Sequence, residues 1–121
     1  MSQRLFPDPA TRPPMTEKTL QALVIELAHI LGWRCAHFRP AKTSHGWRTA
    51  VQGDAEGFPD CVLIHPRHGV LWRELKSSTG RVSLEQEGWQ AWLEAVDEDF
   101  DIWSPADWYD GRILAELKGD A

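Results

Sequence analysis

Residues 57–76 constrain the fold more than any other segment, because they hold two hydrophobic runs separated by a tight turn. The segment reads GFPDCVLIHPRHGVLWRELK. Apolar, β-branched-rich runs on either side of Pro-Arg-His predict a pair of antiparallel strands. A turn centred on Arg67 pairs residues that are equidistant from it, which places Asp60 opposite Glu74. The pattern therefore predicts two acidic side chains side by side at the open end of a hairpin.

Lys76 adds a third charge to this end of the hairpin. Side chains alternate along a strand, so Glu74 and Lys76 share a face while Leu75 points to the other. Directly opposed carboxylates destabilise a sheet unless a cation lies between them, and an all-oxygen ligand set favours Mg²⁺ or Mn²⁺. An ammonium beside such an ion can orient water or balance charge on phosphorus. The alternative is an exposed Glu74–Lys76 pair that keeps an edge strand soluble.

The rest of the chain predicts one α/β domain at residues 16–121, with a mixed sheet flanked by helices. Residues 1–15 contain four prolines and are predicted to form a flexible arm. In chain order the predicted elements are a helix from Thr16 to Gly32, a strand at 33–38, a long polar loop at 39–57, strands at 60–65 and 69–76, a helix at 83–96, a strand at 100–103, and a helix that begins at Ser104 and continues to Leu117. The order is αβββαβ plus a C-terminal helix.

The predicted helix at 83–96 has two further features. Its periodicity places Trp89, Trp92, Leu93 and Val96 on one face, which predicts that this face packs against the sheet. Ser83 and Gln86 have the spacing of a capping box, in which serine caps the helix and glutamine reaches back to the cap's amide.

Charge is segregated along the chain, although the net charge is -5. Residues 27–53 contain no acid, whereas residues 82–111 contain nine acids and neither lysine nor arginine. A basic surface of this kind suits the phosphate backbone of a nucleic acid, and a tryptophan within it can stack on an exposed base. The alternative is a solvated polar loop. The residues predicted to contact DNA are His37, Arg39, Lys42, His45, Trp47 and Arg48.

Three short motifs together resemble a known nuclease family. They are Gly57-Phe58-Pro59-Asp60, Glu74-Leu75-Lys76 and Ser83-Leu84-Glu85-Gln86. In this order they resemble the G-x-P-D, E-x-K and S-x-x-Q series of the virus-type replication-repair nuclease (VRR-NUC) domain, a branch of the PD-(D/E)XK nuclease superfamily. The resemblance covers residues 16–117. It implies a restriction-endonuclease-like core and cleavage of DNA with Mg²⁺ or Mn²⁺.

The resemblance also implies roles for individual residues. The implied metal ligands are Asp60, Glu74, the carbonyl of Leu75 and Glu17; the implied catalytic side chains are Lys76, Glu74, Asp60, Gln86 and Glu17. Family members use a glutamate from the first helix, and Glu17 at the helix start is favoured over Glu26 in its middle. Gln86 is expected to serve as a cap, to act on the water or metal, or to do both.

Stand-alone members of the family look like homodimeric, structure-selective nucleases of phages and bacteria, similar to Holliday-junction resolvases. We therefore expect a cytoplasmic enzyme of DNA repair that cuts junctions, flaps or other branched DNA. The alternatives are a non-cleaving DNA-binding module of the same fold and a nuclease that acts on linear duplex DNA or RNA. No apolar run reaches the length of a membrane span. Cys35 and Cys61 lack metal-site spacing and are expected to be reduced thiols, with a disulfide left open.

Overall fold

The computed structural model describes residues 12–38, 41–43, 46–48, 53–54 and 56–120, with only the backbone described at 41–43 and 46–48. The elements are α1 (Glu17–Ile30), β1 (Arg34–His37), β2 (Ala41–Thr43), β3 (Gly46–Arg48), β4 (Cys61–His65), β5 (Gly69–Leu75), α2 (Leu84–Ala95), β6 (Asp99–Trp103), α3 (Pro105–Tyr109) and α4 (Arg112–Lys118). Four strands form one mixed sheet in the order β1-β4-β5-β6. The predicted α/β class with a mixed, helix-flanked sheet is confirmed.

The strand pair β4–β5 has the predicted register. His65 lies opposite Gly69 and Cys61 lies opposite Arg73, so partners are equidistant from Arg67. The turn is closed by the amide of His68, which donates to the carbonyl of His65 at 3.1 Å. Strand β6 then runs parallel to β5, and α2 supplies the crossover that a parallel pair requires.

Helix α1 covers one face of the sheet. Its start is capped by Thr16, whose side chain accepts from the amide of Thr19 at 3.1 Å, and its end is followed by Gly32 at φ +86°. The apolar stripe of α1 is buried in one cluster with residues from the sheet and from α4. The fully or nearly fully buried members are Leu20, Val24, Ala28, Cys61, Leu63, Leu75, Trp103, Ile113 and Leu117. The predicted first helix is confirmed.

Aromatic side chains mediate contact between α2 and the opposite face. The ring of Phe58 meets Trp89 of α2 edge to face at 5.0 Å and Trp72 of β5 at 5.9 Å. Leu93 is buried, but Trp92 is 79% exposed and Val96 is 67% exposed. The prediction that all four apolar residues face the sheet is therefore wrong for Trp92 and Val96. The aromatic contacts of Trp89 rotate the helix so that these two side chains point to solvent.

Two elements differ from the predicted order. The predicted loop at 39–57 contains β2 and β3, which pair antiparallel as a separate two-stranded sheet. The predicted C-terminal helix is divided into α3 and α4 by Gly111, whose φ of +78° is incompatible with a continuous right-handed helix. Contacts to the domain also begin before Thr16: Met15 lies in the core, and Arg12 pairs with Asp110 at 2.5 Å.

Arg73 is a buried cation that the sequence analysis did not single out. It is 1% exposed, and its guanidinium pairs with Glu116 of α4 at 2.8 Å and with Asp99 at 3.0 Å. It also donates to the carbonyl of Asp99 at 2.8 Å and lies 4.9 Å from the ring centre of Trp103. These contacts join α4 to β5 and β6.

We expect Arg73→Ala to lower the free energy of unfolding by about 3–5 kcal/mol, because it removes a buried guanidinium that pairs with Glu116, donates to the carbonyl of Asp99 and packs on Trp103. The matched control is Arg112→Ala. Arg112 also pairs with acids, namely Asp101, Asp107 and Glu116, but its side chain is 43% exposed. Its removal should cost about 1 kcal/mol or less. Urea denaturation measures both values, and equal losses would show that burial of Arg73 is unimportant.

Candidate active site

The ladder between β4 and β5 ends at the Cys61–Arg73 pair, directly before the positions of Asp60 and Glu74. Extended beyond that pair, the register would place Asp60 opposite Glu74 and Pro59 opposite Leu75, where the Leu75 amide would donate to a backbone carbonyl of the neighbouring strand. The amide of Leu75 donates instead to Oδ2 of Asp60 at 3.0 Å. The carboxylate of Asp60 is thereby held at the end of β5.

Glu74 is the most strongly perturbed acid of the site. Glu74 is 2% exposed, and its Oε2 is buried without a hydrogen-bond partner. Burial, followed by a hydrogen bond and charge repulsion from Asp60, raises the pKa of Glu74 from 4.5 to about 10. Without a metal ion, the raised pKa keeps Glu74 protonated at neutral pH, although Lys76 acts in the opposite direction.

The first turn of α1 brings Glu17 to the same place. Burial raises the pKa of Glu17, repulsion from Asp60 raises it further, and attraction by Lys76 opposes both effects. Glu17 and Lys76 also act on the pKa of Glu74. Glu26 is exposed and lies roughly 14 Å further along the helix axis, at 1.5 Å per residue. The structure thus gathers Glu17, and not Glu26, with the hairpin charges.

Gly57 allows the loop before Asp60 to touch the start of α2. Its φ is +80°, and a Cβ there would lie 2.4 Å from the backbone carbon of Glu85 and 2.7 Å from the nitrogen of Gln86. The side chain of Gln86 accepts from the amide of Ser83 at 3.0 Å, and the Ser83 hydroxyl accepts from the amide of Gln86 at 3.2 Å. The capping box is confirmed, while action of Gln86 on a water or metal stays a prediction.

The donor set can be compared with the needs of a divalent cation. Among the described residues, no group of three His, Cys, Asp or Glu side chains is arranged to hold a metal ion alone. Mg²⁺, however, is commonly held by one or two carboxylates and completes its shell with water and substrate oxygens. Asp60 and the unpartnered Oε2 of Glu74 fit that need. Ligation by the Leu75 carbonyl and by Glu17 stays a prediction.

Of the six residues predicted to contact DNA, the structure describes the side chain of His37 alone. It contacts the side chain of Gln21, a polar residue that is 8% exposed on the buried face of α1. His37 is the ladder partner of Cys61, the first residue of β4, so it lies beside the strand end that directly follows Asp60. In the β2–β3 hairpin, Lys42 lies opposite Trp47 and Arg48 ends the second strand, but their side chains lie outside the described part. Arg39 and His45 lie outside the described residues.

Two features of the site were not predicted from the sequence. The first is the Gln21–His37 contact, whose signal was a glutamine between Leu20 and Val24 on an apolar helix face. The second is the relation between the thiols, which are free as expected. A hydrogen bond with Cys35 and burial raise the pKa of Cys61, which directly follows Asp60. The first contact joins α1 to the end of β1, and the second joins β1 to the start of β4, next to Asp60.

No protein-family model, curated protein or solved structure matches this chain. No helix of the described part is long and apolar enough to cross a membrane. The chemistry of the site therefore has to be inferred from its own geometry.

We expect Glu74→Gln to stabilise the metal-free protein above about pH 5. The folded-state pKa of Glu74 exceeds 4.5, so the folded protein holds a proton that the unfolded chain loses, and wild-type stability falls as pH rises from about 4.5 to about 10. The amide mimics the protonated acid and removes this fall. Thermal unfolding is measured in EDTA from acid to mildly alkaline pH. The two proteins should have the same unfolding temperature at low pH, and the variant should have the higher one near neutrality. If the unfolding temperatures of the two proteins changed with pH in parallel, the raised pKa of Glu74 would be contradicted.

We expect Gly57→Ala to destabilise the fold more than Gly69→Ala. Both glycines have positive φ, at +80° and +84°, so both substitutions carry a left-handed strain of roughly 1–2 kcal/mol. Only the Cβ at position 57 also meets the backbone of α2, whereas position 69 has nothing within 4 Å. The difference between their free energies of unfolding measures that contact, and a difference near zero would show that the loop and α2 are not in close contact.

Proposed function

We propose that the protein is a Mg²⁺- or Mn²⁺-dependent endonuclease that hydrolyses DNA phosphodiester bonds on a PD-(D/E)XK-like core. The observation that carries the proposal is the buried Oε2 of Glu74, which has no hydrogen-bond partner and faces another acid. A carboxylate buried for structural reasons is normally paired with a cation or with several donors. The neighbours of Glu74 instead leave a deficit of positive charge, which a divalent ion would correct.

The side chains have distinct roles in this proposal. Asp60 and Glu74 would hold the ion, with Glu17 completing the acidic side of the site. The chemistry that such an ion supplies when bound is polarisation of a phosphate oxygen and compensation of negative charge at phosphorus. Lys76 is half-buried on the rim, where its ammonium can donate to the scissile phosphate or to the attacking water.

DNA is the proposed substrate because the acid-free segment 27–53 begins within α1 and leads into β1, whose His37 lies beside the acidic site. Cations along such a segment neutralise phosphates without reading sequence. A preference for branched DNA, a homodimeric state and a cytoplasmic location belong to the same proposal and come from the resemblance to VRR-NUC domains.

The deciding experiment compares cleavage of a Holliday junction, a flap, a linear duplex and an RNA, each end-labelled, in Mg²⁺ and in Mn²⁺. We expect the branched DNA to be cut. Asp60→Ala, Glu74→Gln and Lys76→Ala should each lower the cleavage rate roughly 100-fold or more, because each removes a charge that acts on the transition state. Glu74→Gln is informative because we expect it to fold at least as stably as the wild type.

Glu26→Ala is the matched control, since it removes an exposed acid from α1 and should leave the rate unchanged, whereas Glu17→Ala should lower it. Cleavage that survives all three active-site changes would overturn the proposal. Junction DNA that is bound but remains whole in Mn²⁺ would favour the non-cleaving binding module. Cleavage confined to the linear duplex or to RNA would favour the other nuclease classes. Light scattering with size-exclusion chromatography measures the oligomeric state.

A further inference from the structure

A second concave surface lies apart from the acidic site, along α2. It is a cavity of about 580 Å³ whose lining includes none of Asp60, Glu74 and Lys76. We name it the α2 groove; its lining residues are Gly53, Asp54, Glu56, Glu85, Gly88, Trp89 and Trp92. A cavity of this size is large enough for a long side chain of another molecule.

One wall of the α2 groove is rigid. The indole Nε1 of Trp89 donates to the carbonyls of Asp54 at 3.0 Å and Glu56 at 3.2 Å. The same ring is held edge to face by Phe58 at 5.0 Å. Because these contacts set the orientation of Trp89 before any ligand arrives, binding beside it would cost little ordering entropy.

The second wall is the indole of Trp92, which is not buried in the core. Trp92 is one turn beyond Trp89 and is 79% exposed, in line with Leu84 at 80% and Val96 at 67%. These three residues recur at spacings of eight and four, so they lie on one side of the helix. Gly88 lies between Leu84 and Trp92 in this row, and its missing side chain leaves the notch that forms part of the groove. A continuous exposed apolar face of this kind marks a site of association.

The charges around the groove select the kind of partner. Asp54, Glu56 and Glu85 line it, and none of them forms an ion pair with another residue of the described part of the chain. The groove also lies against the part of the chain, 82–111, that has nine acids and no lysine or arginine. Such a surface repels nucleic acid and attracts cations. Indole faces reinforce this preference, since a guanidinium or ammonium is attracted to the negative face of tryptophan.

We propose that the α2 groove is a docking site for a protein partner that inserts an arginine or lysine side chain between Trp89 and Trp92 from a basic, apolar segment. The cation is neutralised by Asp54, Glu56 and Glu85, and the apolar residues of the segment cover Leu84 and Val96. This inference does not depend on the proposed nuclease activity, because no residue of the acidic site takes part.

The test uses three synthetic amphipathic peptides that are identical except for a central arginine, citrulline or glutamate. Each is titrated into the ¹⁵N-labelled full-length protein while the indole N–H signals of Trp89 and Trp92 are followed, and affinities are measured by calorimetry. We expect the arginine peptide to shift both signals and to bind about tenfold more tightly than the citrulline peptide, which keeps the shape but lacks the charge. The glutamate peptide should bind more weakly still.

Trp92→Ala and Glu85→Gln should each weaken binding of the arginine peptide, and Glu85→Gln should also reduce its salt dependence. Glu87→Gln is the matched control, because it neutralises an exposed acid of the same helical turn that does not line the groove. Thermal unfolding verifies that each variant is folded, as expected for exposed positions. Equal binding of the three peptides, equal effects of Glu85→Gln and Glu87→Gln, or no arginine-dependent shift with millimolar peptide or methylguanidinium would overturn the proposal. Concentration-dependent self-association abolished by Trp92→Ala would replace the foreign partner with a second copy of the chain.

Discussion

The hydrogen bond from the Leu75 amide to the Asp60 carboxylate fixes the position of the acidic site. The β4–β5 ladder ends at the Cys61–Arg73 pair, and beyond that end the Asp60 side chain accepts from the backbone amide of β5. Glu74, whose strand position is set by the same ladder, is then buried against a second carboxylate, and the repulsion between them follows from the backbone.

Arg73 and Glu74 are adjacent buried residues of β5, but their neighbours differ in charge. Arg73 has two carboxylates within 3.0 Å and an aromatic ring beneath it, so its burial costs are offset by partners on α4 and β6. Glu74 is equally buried on the other face but faces acids, and its Oε2, like the Nε of Arg73, has no hydrogen-bond partner. The first arrangement stabilises the fold. The second is tolerated at a cost in stability, which is the usual mark of a site kept for binding or chemistry.

The parts of the fold that depend on local rules could be predicted from the sequence. The register of β4–β5 follows from one short turn, and the limits of α1 follow from Thr16 and Gly32. Features that depend on which face meets which neighbour could not be predicted. A strand position alone does not reveal that Arg73 finds buried acids from α4, far along the chain. Likewise, the apolar period of α2 identifies a helix with two candidate faces, and the contact of Trp89 with Phe58 decides between them.

Segregated charge lets one small domain present surfaces of opposite sign. Unit charges in water at physiological salt are screened over about 8 Å, so an acidic groove along α2 need not weaken attraction of phosphates to cations elsewhere on the surface. The net charge of -5 therefore does not decide what the protein binds. Each surface has more negative than positive charge. At the end of β5 the acids are buried and leave room only for a compact cation. Around Trp89 and Trp92 the acids border an apolar notch, which suits a cation on a long side chain. A small hydrated ion suits the first surface and not the second, so the two proposed sites call for different kinds of ligand.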